Sequence, residues 1–347
     1  MKIIIDNKIP FIREAASHIA DEVVYLPGKD FAPETIKDAD ALIIRTRTHC
    51  NRALLEGSRV KFIATATIGF DHIDTAYCHE AGITWTNAPG CNSASVAQYI
   101  ESSLLLLQLN QGRKLSEMTI GIIGIGNVGS KVASVARNLG MQVLQNDLPR
   151  EEKEGNAAFT SLEQIAKKAD VITFHVPLYK EGDYKTFHLA DDVFFEALER
   201  KPILINTSRG EVVSTDALLN ALRTGSISEA IIDVWENEPG INLELLDRVM
   251  IGTPHIAGYS ADGKANATQM SLDALCRHFD IRTNYFITPP SPESSIIHAS
   301  NREEALLAIY NPRRDSDALK SRPDCFEQLR GDYPLRREEK AYTIRLS

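Results

Sequence analysis

The 347 residues carry 38 basic and 47 acidic side chains, a net charge of −9, with 43% hydrophobic and 24% charged residues. Such a length supports two or three domains, and such a composition belongs to a globular chain rather than a disordered or fibrous one. The acidic balance argues against nucleic acid as a partner, no apolar run approaches the roughly 18 residues of a membrane span, and the opening Met-Lys-Ile-Ile-Ile-Asp is too short for a signal-peptide core, so the expected location is the cytoplasm.

Through the first 90 residues short β-branched runs at 2–5, 22–25, 41–44, 62–65 and 83–86 alternate with helix-like stretches. Alternation of that kind predicts a parallel sheet wrapped by helices. A long helix is expected from Asn92 or Ser93 through Leu104–Leu107 toward Asn110 and Gly112, carrying the chain from one domain to the next. A second alternation follows, with strands at 119–123, 141–146, 171–175, 202–206 and 229–233 and helices near 127–139, 161–168 and 215–223. Ser161 and Gln164 have capping-box spacing, and Gly140 and Gly225 stand where helices should stop. A helix at about 261–280 is long enough to cross back to the first unit. From Pro289 the chain turns proline-rich, then helix-like at 302–310, then charged, and 286–347 is read as a small third module. The expected division is 1–93 with 266–285, 94–265, and 286–347.

The five cysteines are odd in number and far apart, with no C-x-x-C pair. Neither a disulfide framework nor a cysteine-built metal site is expected. His72, His79 and His175 read as structural or lining residues, and no metal is expected.

The strand at 119–123 runs directly into Gly124-Ile-Gly126-Asn127-Val128-Gly129 and then a helix with Val132, Val135, Ala136 and Leu139 on its apolar face. Glycines there permit a tight turn, close approach of the backbone to a pyrophosphate, and close packing of helix on strand, while the helix N-terminus supplies N–H donors. Asp147, at the end of the next strand, is placed to accept from ribose hydroxyls. An acid repels a 2′-phosphate, so NAD is favoured, with Arg150 nearby keeping NADP as a second reading.

Three loops after successive strands carry polar groups at the carboxyl ends of a parallel sheet, where ligands bind. They read Asn206-Thr-Ser-Arg209-Gly210-Glu, Asp233-Val-Trp-Glu-Asn-Glu238-Pro239 and Gly252-Thr-Pro-His255-Ile-Ala-Gly258-Tyr259. Together with the glycine motif these loops resemble the D-2-hydroxyacid dehydrogenase family, whose active site uses an arginine, a glutamate and a histidine in this order. The resemblance implies two Rossmann- or flavodoxin-like parallel-sheet domains of α/β class with a cleft between them. The first, with 266–285, would bind substrate and the second NAD. Oxidising a 2-hydroxy acid moves a hydride from C2 to the nicotinamide and a proton off the hydroxyl. His255 is the expected base, Glu238 its orienting partner, and Arg209 the two-pronged donor to the substrate carboxylate. By the same resemblance Asp233 contacts the nicotinamide end, and Thr207 and Gly258 line the cofactor.

Further stretches, at 61–74, 88–92, 185–191 and 233–236, resemble members of that family acting on a phosphorylated 2-hydroxy acid. They imply that Thr46, Thr67 and Tyr259 contact substrate. Arg45, with Arg47, is the candidate for the phosphate. The segments at 311–315 and 329–338 resemble a C-terminal dimerisation domain, which implies a homodimer. Two rivals stand beside this reading: a sibling enzyme acting on 3-phosphoglycerate, glyoxylate or another small 2-hydroxy acid, and an NAD-sensing binding protein of the corepressor type. A methyltransferase would share the glycine turn but leaves Arg209, Glu238 and His255 unexplained together.

Overall fold

Short runs of β-branched and aliphatic residues with no polar alternation form the inner strands, which are buried on both faces, the pattern of parallel sheets covered by helices. The computed structural model describes residues 1–347, the side chains of Gln111 and Asn156 excepted. The chain divides into two compact units, Met1–Asn92 with Ser260–Ser291, and Ser93–Tyr259 with Pro292–Ser347. The second unit thus starts at the expected long helix but ends its first stretch at 259 rather than 265. It also takes in most of the tail read as a separate module.

In the first unit, β1 (Lys2–Asp6), β2 (Glu22–Leu26), β3 (Ala41–Ile44), β4 (Phe62–Thr65) and β5 (Thr84–Thr86) form a wholly parallel sheet in the order β2-β1-β3-β4-β5. β3 and β4 are buried throughout. The helix Ala261–His278, capped by Ser260, packs Leu272, Leu275 and Cys276 on Ile3, Ile5 and Phe62, completing one face of this sheet.

The second unit opens with the helix Ser93–Gln111, in which Ser95–Ile100 and Ser102–Leu107 are buried. A helix buried on nearly every side, small polar residues such as Ser95, Ser102 and Ser103 included, is a core element, and this one lies in the unit's main core with Ile120, Ile205 and Ile231. Then follow β6 (Thr119–Ile123), β7 (Gln142–Asn146), β8 (Val171–Phe174), β9 (Ile203–Asn206), β10 (Glu229–Ile232) and β11 (Ile251–Gly252), parallel and in the order β11-β10-β9-β8-β6-β7. The order reverses between β6 and β8, the switch point where an open α/β sheet leaves a crevice for a ligand. Ser161 accepts from the Gln164 N–H, and Gly225 takes the left-handed conformation at φ 72°, as the sequence predicts. In the tail, β12 (Ile296–Ala299) pairs with β13 (Thr343–Leu346) in a two-stranded sheet, and Leu319 and Phe326 pack into the second core of the unit. Among the described residues no helix is long and apolar enough to cross a membrane.

Candidate active site

The glycine loop is built as its spacing requires. Gly124 has φ +92°, and a Cβ on it would stand 2.6 Å from the His175 carbonyl oxygen; a Cβ on Gly129 would stand 1.9 Å from the Gly124 oxygen. Both are therefore needed for turn and packing. Gly126 is different, because nothing lies within 4 Å of where its Cβ would be. It precedes the helix Asn127–Asn138, whose first turn of N–H groups, from Asn127, Val128 and Gly129, has no side-chain cap at Gly126. An open space at a bare helix N-terminus is a cradle for an anionic group, and it fits the pyrophosphate of NAD.

Asp147 follows β7 and is half-buried. Its Oδ2 accepts from the Ile125 N–H at 2.8 Å and its Oδ1 from the Arg150 N–H at 3.1 Å, so it ties the glycine loop to the next helix. Arg150 pairs with Glu154 at 2.8 Å and donates to the Ile125 carbonyl at 2.7 Å. Its charge is spent locally, which removes the support it lent to a 2′-phosphate. His175, at the end of β8 beside Gly124, has the Thr173 hydroxyl 3.0 Å from Nε2 and the Thr207 hydroxyl 3.3 Å from Nδ1. Burial pushes its pKa down to about 3, leaving a neutral ring on this side of the loop.

At the carboxyl ends of β10 and β11 the loops carrying Glu238 and His255 meet. His255 Nδ1 lies 2.8 Å from Glu238 Oε2, while Glu238 Oε1 accepts from the Trp235 N–H at 2.9 Å. Burial pushes the Glu238 carboxyl up, but the His255 hydrogen bond and charge, the Trp235 N–H and Arg330 outweigh it, so it stays below its ordinary value and ionised. His255 sits at φ +57°, a conformation that costs a residue with a Cβ about 1–2 kcal/mol. Asp233 holds it there. One of its oxygens accepts from the Thr253 hydroxyl at 2.6 Å and the Ile256 N–H at 2.8 Å, the other from the Ala257 N–H at 3.0 Å. At 1% exposure it shapes this loop from within. Burial raises its pKa, against the pull of His255 and these three donors. Gly258 and Tyr259 follow in the same loop, both half-buried.

Arg209 follows β9, exposed, with its guanidinium donating to the Ser208 carbonyl at 2.7 Å. Its neighbour Gly210 has no room for a Cβ, which would fall 2.0 Å from the Trp235 carbonyl carbon. The Arg209 turn is thereby laid directly on the loop that carries Glu238.

In the first unit, Arg45 and Thr46 follow β3, half-buried and exposed respectively. Thr67, after β4, shares a hydrogen bond with Thr65 at 2.6 Å and donates to the Gly69 carbonyl at 2.8 Å. Lys264, in the first turns of the Ala261–His278 helix, escaped the sequence reading. Partial desolvation and then the nearby Arg45 charge hold its pKa below the ordinary value, so the two cations are close enough to repel. The Ser260-x-x-Gly263-Lys stretch could have signalled it, as a lysine just inside a helix start, against the dipole. Thr253, Trp235 and Tyr99 were missed as well. The Trp235 indole donates to the Thr253 carbonyl at 2.9 Å, and the Tyr99 and Thr253 hydroxyls lie 2.9 Å apart; an apolar-looking run hides such support. Among the described residues no three His, Cys, Asp or Glu side chains gather as a metal site.

Residues 98–257 match the family model of the D-isomer specific 2-hydroxyacid dehydrogenase, NAD binding domain, and residues 291–347 match a domain of unknown function. With the strand order and the glycine cradle, that match defines an NAD-dependent dehydrogenase of the D-2-hydroxyacid class. The erythronate-4-phosphate dehydrogenases of Bacteroides fragilis and Bacteroides thetaiotaomicron are each 71% identical over 344 residues, covering 99% of this chain and 99% of their own. That of Porphyromonas gingivalis is 42% identical over 352 residues, 99% of this chain and 95% of its own. The chain belongs to the erythronate-4-phosphate dehydrogenase family. Among solved structures, the D-lactate dehydrogenase of Aquifex aeolicus, complexed with NAD and lactic acid, is 28% identical at TM-score 0.61, covering 84% of this chain and 100% of its own. D-2-hydroxyisocaproate dehydrogenase shares the fold at TM-score 0.68 and 24% identity, covering 82% of this chain and 98% of its own.

Proposed function

We propose that this chain oxidises 4-phospho-D-erythronate to (R)-3-hydroxy-2-oxo-4-phosphooxybutanoate, a step in making pyridoxal 5′-phosphate. The observation that carries the reading is the His255–Glu238 pair at 2.8 Å, standing on the unit that holds the NAD fingerprint. Bound NAD supplies the acceptor for the C2 hydride. The protein's part is proton transfer and placement. With Nδ1–H donated to ionised Glu238, His255 presents Nε2 to take the C2 hydroxyl proton, and the carboxylate steadies the imidazolium. Arg209 holds the substrate carboxylate through its planar fork. Gly124, Gly126, Asn127, Val128 and Gly129 cradle the pyrophosphate and Asp147 takes the ribose. Thr207, Gly258 and the loop braced by Asp233 border the nicotinamide end. Thr46, Thr67 and Tyr259 offer hydroxyls to the substrate.

Arg45 and Lys264 supply the phosphate site. Two cations held close against their own repulsion are stabilised when a dianion joins them. Arg45→Gln and Lys264→Gln are each expected to raise KM for 4-phospho-D-erythronate on the order of 10-fold or more while leaving kcat/KM for unphosphorylated D-erythronate within about twofold. Equal effects on both acids in steady-state assays would remove these residues from the phosphate.

The protein works as a homodimer in the cytoplasm. A two-stranded sheet is marginal alone, and β12 and β13 leave Ile296 and Leu346 exposed, with Leu335 exposed nearby in the chain. Buried, unpaired Cys50, Cys78, Cys91 and Cys276 suit a reducing compartment.

A further inference from the structure

The segment 330–338 lies in the stretch that matches a domain of unknown function, yet within the second unit it reaches the loop that carries His255. Arg336 is 6% exposed. Its guanidinium donates to the carbonyls of Ile256 at 3.3 Å and Ala257 at 3.0 Å, the two residues directly after His255. The same group donates to the Ser95 carbonyl and to Gln98 Oε1, at 3.0 Å for the latter, on the buried helix Ser93–Gln111, and it lies 3.9 Å from the centroid of the Tyr310 ring. One planar fork therefore bridges a rigid core helix and the catalytic loop. Four acceptors and an aromatic face satisfy a buried cation that would otherwise be very costly. Arg330 adds a second strap, donating from Nε to the Tyr259 hydroxyl at 3.0 Å.

The two carbonyls that Arg336 holds belong to the residues whose N–H groups Asp233 holds. The peptides after His255 are thus gripped from both sides, and His255 needs such a grip because its backbone is left-handed. We propose that the C-terminal segment is a working part of the active site, with Arg336 a positioning residue for His255 and Arg330 one for Tyr259. The inference rests on the reading of His255 as the base.

The test compares full-length wild type with Arg336→Met, Arg336→Lys, Arg330→Gln and His255→Ala, using 4-phospho-D-erythronate or whichever 2-hydroxy acid the wild type accepts. Arg336→Met is expected to lower kcat on the order of 10- to 100-fold and to displace the acid limb of the kcat/KM pH profile, while NADH affinity by fluorescence titration stays within about twofold. Arg336→Lys should recover part of kcat, since a lysine keeps the charge but not the fork. An Arg336→Met enzyme with wild-type kcat and pH profile, or one that loses NADH binding in step with kcat, overturns the proposal. If Arg336→Met does not fold, Arg330→Gln decides: an increase in substrate KM of about tenfold supports the tail's role and an unchanged KM and kcat overturns it. Turnover by His255→Ala would instead refute the reading of the base.

Discussion

At the scale of single residues, the site is organised by groups whose charge states are set by burial and partners. Glu238 keeps its charge because donors surround it, and His175 loses its charge because burial favours the neutral ring. The second case has a measurable consequence. Folded, His175 binds a proton only near pH 3, whereas unfolded it does so near 6.5. Between those values the unfolded chain binds more protons, so stability is intact above pH 6.5 and is lost as pH falls below it. His175 as a residue is only half-buried, which reduces the effect. Urea melts at pH 7 and pH 4.5 should show His175→Gln losing about 2 kcal/mol less over that interval than the wild type; equal losses in both would mean the ring is not held neutral.

Arg209, Glu238 and His255, the trio proposed as catalytic, stand out in the sequence as residue types because each falls in a loop after a strand of a parallel sheet. Their supports were not legible. Asp233 is expected at the nicotinamide end, and the bracing of the His255 loop is a further role that its sequence position does not reveal. An aspartate after a strand looks the same in sequence whether it points outward or is buried to 1%. Lys264 was hidden by distance along the chain, since its partner Arg45 lies on a different element.

Among elements, the turn from β6 into the helix Asn127–Asn138 separates two jobs that one motif performs. Gly129 is packed against Gly124, and Gly126 faces open space. Gly126→Ala should leave the melting temperature nearly unchanged and weaken NADH about tenfold or more, by filling the cradle. Gly129→Ala should lower the melting temperature by several degrees before any binding question arises. Thermal melts and NADH titrations check both, and the reverse pattern would reassign the two glycines. Strands and helices of the two sheets could be read because short apolar runs alternate regularly with helix-like stretches and the caps are specific, as at Ser161 and Gly225. β11 has only two residues, and β12 and β13 pair across more than forty positions of chain. Neither leaves a periodic trace that sequence reading can detect. The helix Pro312–Ser321 did carry one, the Asn311 cap followed by Pro312, inside a stretch otherwise read as charged turns.

For the whole molecule, two parallel sheets of like order, β2-β1-β3-β4-β5 and its six-stranded counterpart, were foreseeable from the double alternation of strand and helix. The integration of 292–347 with the second unit was not, because it depends on single buried groups such as Leu319, Phe326 and Arg336. The exposed apolar residues of that tail give an expected mass by light scattering of twice the chain's 38.5 kDa. A monomer at micromolar concentration would contradict the homodimer. The central claim concerns the substrate, and its most direct measurement is NADH formation followed at about 340 nm, with and without a 2-oxo acid to reoxidise the cofactor. The assay compares 4-phospho-D-erythronate, D-3-phosphoglycerate and D-erythronate. A kcat/KM for 4-phospho-D-erythronate at least about 100-fold above the other two is expected; a preference for D-3-phosphoglycerate, or for the unphosphorylated acid, would contradict the assignment.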